Sequence, residues 1–235
     1  MGRGPTLGSK IIDEPSLRNR MHIFEDRLHA GELLAKKLGK YKGTNSYVLG
    51  IPAGGVPVGY IVAKRLGLAF EIAITRKIHI PWNKEAGFGA VTWNGTTLLN
   101  QALVDTLGLS EKEIERCIAE EVEAIKERLK LFRSDRAFPD IKGKTIILID
   151  DGLASGFTML ATIKSIKQRK PKELIVAIPT ASLEAIERIK PYANKIICLN
   201  TRTGPTFAVA DAYKLWYDLE DEEVMAILKK AGLKK

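Results

Sequence analysis

Two adjacent carboxylates, Asp150 and Asp151, stand at the end of a short apolar, β-branched run over residues 145–149, and a small-residue turn follows them at once. That turn holds Gly152, Leu153, Ala154, Ser155 and Gly156, and an amphipathic pattern then runs from Phe157 and Thr158 to Lys167. The succession predicts a buried strand, a tight loop and a helix N-terminus. In an open parallel sheet, ligands bind at such a junction. The helix start offers unpaired N–H groups and a positive dipole end, which suit a phosphate. Paired carboxylates would repel the phosphate itself, so they make sense as acceptors for sugar hydroxyls or as organisers of a cation. The chemistry this loop suits is recognition of a sugar phosphate. An ordinary strand-to-helix turn with two exposed acids is the plain alternative.

A second apolar run over 46–51 ends in Pro52, Ala53, Gly54 and Gly55, ahead of a helical pattern through Val56, Tyr60, Ile61, Ala63 and Leu66. Two glycines allow close backbone approach to an anion, although taken alone they fit a structural turn equally. A third run, 70–75, predicts a strand terminating in Arg76 and Lys77. Two cations at a strand's carboxyl end would neutralise an anionic leaving group, with Arg able to grip it in bidentate fashion; a solvated basic pair is the bland alternative. Asn94-Gly95 between apolar runs predicts a hairpin, preceded by a glycine-containing stretch with His79, Lys84 and Phe88.

No Gly-Lys-Ser/Thr follows the glycines and no Gly-x-Gly-x-x-Gly occurs, which excludes the Walker-type loop and the dinucleotide fingerprint. The run IILIDDGLASGFT, residues 146–158, closely resembles the 5-phosphoribosyl-1-pyrophosphate (PRPP) signature of type I phosphoribosyltransferases. The wider pattern, from Phe24-Glu25-Asp26-Arg27 to Trp216-Tyr217, is similar to a branch of predicted phosphoribosyltransferases in which Arg-Lys, a flap, a long inserted helix and a late Trp-Tyr recur in this order. It spans nearly all the chain after about Met21.

The resemblance implies an α/β type I fold: a mainly parallel central sheet flanked by helices, with a small hood. It implies Mg-PRPP as substrate and transfer of the phosphoribosyl group to a nitrogen acceptor such as a nucleobase, with release of pyrophosphate, in nucleotide metabolism. Asp150 and Asp151 would hold the ribose hydroxyls. The loop Gly152, Leu153, Ala154, Ser155, Gly156, Phe157, Thr158 would hold the 5-phosphate. Pro52, Ala53, Gly54 and Gly55 would bind pyrophosphate, with Arg76 and Lys77 assisting. His79, Lys84 and Phe88 would belong to a mobile flap, and Trp216 and Tyr217 to the base side. Magnesium would be held mainly through PRPP, with Asp150 and Asp151 as its protein partners. Two departures stand out. Family members carry Arg where this chain has Ala53, and the hypoxanthine–guanine enzymes place an Asp where it has Ala154, which speaks against that acceptor and leaves adenine, xanthine, orotate and uracil open.

The remaining elements must position these groups. Helices are predicted over 26–38, 110–133, 183–190 and 220–231, the second opened by a Ser110/Glu113 capping box. Further strands are predicted over 173–178 and 195–199. Residues 201–218 read as irregular and hold Phe207, Tyr213, Trp216 and Tyr217. These aromatics are placed to stack on a flat base or to pack the last helix. We expect one domain of 235 residues, with an N-terminal arm (1–21), a core (about 22–200) and a C-terminal extension (201–235).

Composition bounds the function. With 45% hydrophobic and 28% charged residues the chain reads as globular. No apolar run reaches membrane-spanning length, residues 1–20 lack a signal-peptide core, and two cysteines without metal spacing fit a reducing cytosol, so a cytoplasmic protein is expected. The net charge of +9 would suit nucleic acid, but its Lys and Arg are spread along helices with no recognisable module, which argues against that partner. A homo-oligomer, a dimer, is the expected assembly. Three readings stay open: a transferase, a PRPP- or nucleotide-binding regulator on the same fold, and a structural protein using the 110–133 helix. Turnover, binding without turnover and absence of Mg-PRPP affinity separate them.

Overall fold

The computed structural model describes residues 10–134, 136–204 and 206–234. The chain opens with β1 (Lys10–Asp13), α1 (Arg27–Lys37), β2 (Ser46–Gly50), α2 (Gly55–Leu66) and β3 (Ala69–Ile72). An excursion follows through β4 (Thr75–Ile80), β5 (Asn83–Thr92), β6 (Thr97–Leu99), α3 (Gln101–Leu107) and α4 (Glu111–Arg133). The chain then returns through β7 (Thr145–Ile149), α5 (Phe157–Lys167), β8 (Glu173–Ser182), α6 (Leu183–Ile189) and β9 (Lys195–Arg202), and ends in α7 (Asp221–Lys230).

Six strands form a parallel sheet in the order β1-β9-β8-β7-β2-β3. Strand β7 lies inside it and is covered on both faces, which is why its sequence is continuously apolar rather than alternating. Ile146 and Leu148 join Met159 and Ile163 of α5 and Ile186 of α6 in one core. Ile147 and Ile149 join Leu34 of α1 and Val58 and Val62 of α2 in the other. Each fully buried side chain of this kind contributes about 1.5–3 kcal/mol.

Strands β4, β5 and β6 form a separate antiparallel sheet, turned at Asn94-Gly95, where Gly95 adopts φ +83°. Its third core includes Phe88, Val91, Cys117, Ile125 and Val224, with the α4 stripe of Ile114, Ile118, Val122 and Leu129 packed against it. The expected capping box is present: Glu113 N–H donates to Ser110 Oγ at 3.3 Å, and Ser110 N–H to Glu113 Oε2 at 2.9 Å. The long helix is thus part of a hood made with the small sheet and α7.

Four features differ from expectation. The strand over 70–75 is two strands in two sheets. Ala73 N–H still bonds Gly50 of β2, but the Ile74 carbonyl is taken by Trp93 after β5, so the chain changes sheets within two residues. Arg76 and Lys77 therefore lie inside β4, not at a strand's carboxyl end. The N-terminal arm supplies β1, an edge strand on β9. A short helix, α3, capped by the Asn100 side chain, precedes α4. Strands β8 and β9 run three or four residues further than expected, carrying the sheet past the loop after β7. Among the described residues, no helix is long and apolar enough to cross a membrane.

Candidate active site

The loop after β7 is fastened to the sheet by its own backbone. Leu153 N–H donates to the Thr180 carbonyl at 3.0 Å, and Ser182 N–H donates back to the Leu153 carbonyl at 3.0 Å. Leu153 is buried, so its part in the loop is anchorage. Ser182 Oγ donates to the Ala154 carbonyl at 2.7 Å, and Arg188 of α6 donates to the Ser155 carbonyl. Arg188 also lies over the Phe157 ring, 4.6 Å from its centroid, so Phe157 packs toward α6.

Gly156 takes φ +77°, a value that suits glycine, and starts α5 with no side-chain cap on the helix. Phe157 N–H reaches Ser155 Oγ at 3.5 Å, and the next N–H groups of the first turn are available to an outside acceptor. Ser155 is exposed and Thr158 half-buried beside them. The residues expected to meet a phosphate are together at one helix start.

The second loop abuts the acids. Ile51 N–H bonds the Ile149 carbonyl at 2.9 Å, joining the ends of β2 and β7. The Pro52–Ala53 peptide is cis. A Cβ on Gly54 would lie 1.8 Å from Asp151 Oδ2, and one on Gly55 would lie 2.6 Å from the Ile149 carbonyl oxygen and 2.9 Å from the Asp150 Cα. These glycines are required by the packing of one loop on the other, beyond any freedom they lend to anion binding.

Asp150 Oδ1 accepts from Asp151 N–H at 2.9 Å. Asp151 Oδ2 accepts from Arg27 Nε at 2.9 Å, and the Asp151 carbonyl accepts from the Tyr213 hydroxyl at 2.6 Å. Both acids show some surface to the crevice but are otherwise enclosed by protein. Burial lifts the Asp150 carboxyl well above the usual range, and the Asp151 charge adds to this. Burial lifts Asp151 as well, with Arg27 pulling the other way. Arg27 itself lies 4.0 Å from the Trp216 ring centroid and donates from Nη1 to the Tyr217 carbonyl at 2.9 Å.

Most of the other expected site residues have partners of their own. Arg76 is ion-paired with Glu121 of α4, whose other carboxylate oxygen lies 2.7 Å from His79 Nδ1. Both side chains thus face Glu121 on the hood helix. Lys77 alternates onto the face of Thr75, whose hydroxyl meets Thr162 of α5 at 2.8 Å. Its Nζ donates to the Glu85 carbonyl at 3.0 Å, with no carboxylate partner among the described residues. Lys84 is exposed near the β4–β5 turn, whereas Phe88 is fully buried in the hood core and is no flap contact. Trp216 is occupied by Arg27, and Tyr217 is 53% exposed with its hydroxyl on Glu223.

A cavity of about 660 Å³ opens beside Ala154 and Ser155, lined further by Ser182, Glu187, Arg202 and Phe207. Arg202 is held by Asp211 at 2.9 Å and lies 5.3 Å from the Phe207 centroid. Arg27 and Arg188 were not legible as site residues. Each reaches the loop from a distant helix, and no local spacing marks that approach.

For magnesium, the donor chemistry fits a ligand-borne ion and not a protein cage. No cluster of three or more His, Cys, Asp or Glu occurs among the described residues. The acid pair offers two carboxylates already partly engaged, which matches a cation that keeps phosphate oxygens and water as its main ligands.

An open, parallel α/β sheet with its acid pair and free helix start at the strands' carboxyl ends defines the structural class. Residues 23–214 match the sequence profile of the phosphoribosyl transferase domain, and the chain belongs to that family. It is similar to TT1426 from Thermus thermophilus, with 35% identity and a TM-score of 0.71, covering 88% of this chain and 98% of that one. It is also 31% identical over 211 residues to Rv0571c of Mycobacterium tuberculosis. That match covers 90% of this chain and 47% of Rv0571c, so the chain spans about half the length of this relative.

Proposed function

We propose that the protein transfers the 5-phosphoribosyl group of Mg-PRPP to a nitrogen acceptor and releases pyrophosphate. The observation that carries this reading is the contact of the two-glycine loop with the acid pair, beside an uncapped helix start. One crevice edge then has places for a sugar, a phosphate and a pyrophosphate side by side.

In this reading the N–H groups at the start of α5, with the Ser155 and Thr158 hydroxyls, hold the 5-phosphate. Asp150 and Asp151 accept the ribose hydroxyls and would be the protein's contacts to magnesium, which supplies charge neutralisation of the pyrophosphate when bound. The backbone of Pro52, Ala53, Gly54 and Gly55, with Lys77, receives the leaving group. The acceptor occupies the cavity at Ala154 and Ser155, where Phe207 offers a stacking face. Bond breaking at C1 leaves positive charge on the sugar, and the buried acids stabilise it through space while the loops hold attacking and leaving groups in line.

A second reading, a PRPP- or nucleotide-binding regulator without turnover, is favoured by one observation. Arg76 is committed to Glu121 and residue 53 is Ala, so two cations expected near pyrophosphate are missing from it. One experiment separates the two: pyrophosphate release from Mg-PRPP across a panel of nucleobases and small amines, with a no-acceptor control. Acceptor-dependent release supports the transferase. Binding of Mg-PRPP with no release across the panel supports the regulator.

A further inference from the structure

Arg27 lies 124 residues from Asp151 in the sequence, yet it makes the one side-chain ion pair that the acids have among the described residues. It is 6% exposed, and the Asp151 side chain 13%. Its guanidinium is held from three directions: Nε on Asp151 Oδ2, Nη1 on the Tyr217 carbonyl, and the flat face against Trp216. Lys could supply the charge but not these three contacts at once, because it lacks the planar fork.

These contacts determine what the acids can offer. Asp151 Oδ2 is engaged by Arg27 and crowded by Gly54, while Asp150 Oδ1 is engaged by the Asp151 N–H. The two carboxyl groups also hydrogen-bond each other, and beyond that contact Asp150 Oδ2 and Asp151 Oδ1 meet no donor from the other described residues. Carboxyl groups on two adjacent residues match two neighbouring hydroxyls on a sugar ring.

We propose that Arg27, backed by Trp216, is a positioning residue that orients Asp151 so that the acid pair selects a vicinal diol. This rests on the reading of the crevice as a phosphoribosyl site. Removing Arg27 would release Asp151 Oδ2, let the carboxylate rotate, and abolish the paired presentation. Among the described residues Arg27 makes no hydrogen bond to the pyrophosphate loop, so its loss should change pyrophosphate affinity far less than affinity for the sugar.

The test is calorimetric titration of the full chain with ribose 5-phosphate, 2-deoxyribose 5-phosphate and inorganic pyrophosphate. The wild type should prefer the ribose compound by roughly tenfold or more, about the worth of one charge-assisted hydrogen bond. Arg27→Met should bring that ratio close to one while leaving pyrophosphate affinity within about twofold. Arg27→Lys should restore part of the ratio. Trp216→Leu, which keeps the charge and removes only its backing, should lower the ratio by about threefold, in keeping with a cation–π contact; it decides the matter if Arg27→Met does not fold. An unchanged ratio in a folded Arg27→Met or Trp216→Leu variant, or equal weakening of all three ligands, overturns the role of Arg27 alone. A wild type that binds neither sugar phosphate overturns the phosphoribosyl reading and this proposal with it.

Discussion

Gly54 and Asp151 share a space with no room for one more atom, since a Cβ on residue 54 would lie 1.8 Å from the carboxylate oxygen Oδ2. The two loops expected to hold pyrophosphate and ribose are therefore one mechanical unit. Gly54 has helical backbone angles, so an added methyl meets no dihedral penalty and its effect is purely one of crowding.

Gly54→Ala should destabilise the fold by about 1–3 kcal/mol, the usual range for overpacking. It should also weaken ribose 5-phosphate and pyrophosphate together. Thermal unfolding and calorimetry check this. Loss of pyrophosphate affinity alone would mean that the loops move independently.

Asp150→Asn should separate stability from binding. The Asp150 carboxyl is lifted well above the usual range, chiefly by burial. The folded protein then holds a proton that the unfolded chain has released, so wild-type stability falls as pH rises from the ordinary Asp value through the folded one. The amide does not ionise and removes this slope. The ligand-free variant should melt higher than the wild type at neutral pH, by about 2–4 °C for each kcal/mol regained. It should bind Mg-PRPP at least tenfold more weakly. A lower melting temperature at pH 7 than at pH 4, relative to wild type, contradicts this assignment.

Arg76 and Lys77 are neighbours in sequence with different tasks. Arg76→Ala should cost about 1 kcal/mol, the worth of a partly exposed ion pair with Glu121. It should leave pyrophosphate inhibition unchanged. Lys77→Ala should weaken pyrophosphate by roughly tenfold, the scale of one charged hydrogen bond, and ribose 5-phosphate much less. The reverse ranking in an inhibition assay would return Arg76 to the site.

Cys198 should be inert in the native state. Burial pushes its thiol up to about 12 from an ordinary value of 9.0. At pH 8 an alkylating reagent should modify it only after denaturant is added, since the thiolate is the nucleophile. Between pH 9 and 12 the unfolded chain ionises this thiol while the folded one retains the proton. The wild type should therefore lose stability relative to Cys198→Ala across that window. Rapid native labelling at Cys198, read by mass spectrometry, would contradict the buried placement.

The core elements were legible because each has a local signal. Continuous β-branched runs mark β2 and β7, capping marks α4, and Asn94-Gly95 marks the hairpin. The acids, the glycines and the helix start come from two contiguous segments, so the sequence shows them as units. What it does not show depends on pairing at a distance. Nothing near Thr75 announces that the chain changes sheets, because Arg76 and Lys77 read as the end of one strand and not as the start of another. That change is what moves Arg76 toward Glu121. Phe88 sits in a glycine-rich stretch that reads as a flap, yet its ring fills the hood core. The arm residues of β1 gain their strand only by lying beside β9. Trp216 and Tyr217 were noticeable as aromatics, but only the arrival of Arg27 from α1 shows what Trp216 supports.

The two backbone hydrogen bonds of Leu153 have an entropic consequence. A flexible loop must give up conformational freedom when it closes on a ligand, and that loss is subtracted from the affinity. Here the cradle is already part of the sheet's hydrogen-bond ladder before any phosphate arrives. Association at this loop should proceed with little reordering of the main chain. The Leu153 and Ser182 amides should exchange with solvent as slowly as those of the central strands, whether or not the crevice is filled.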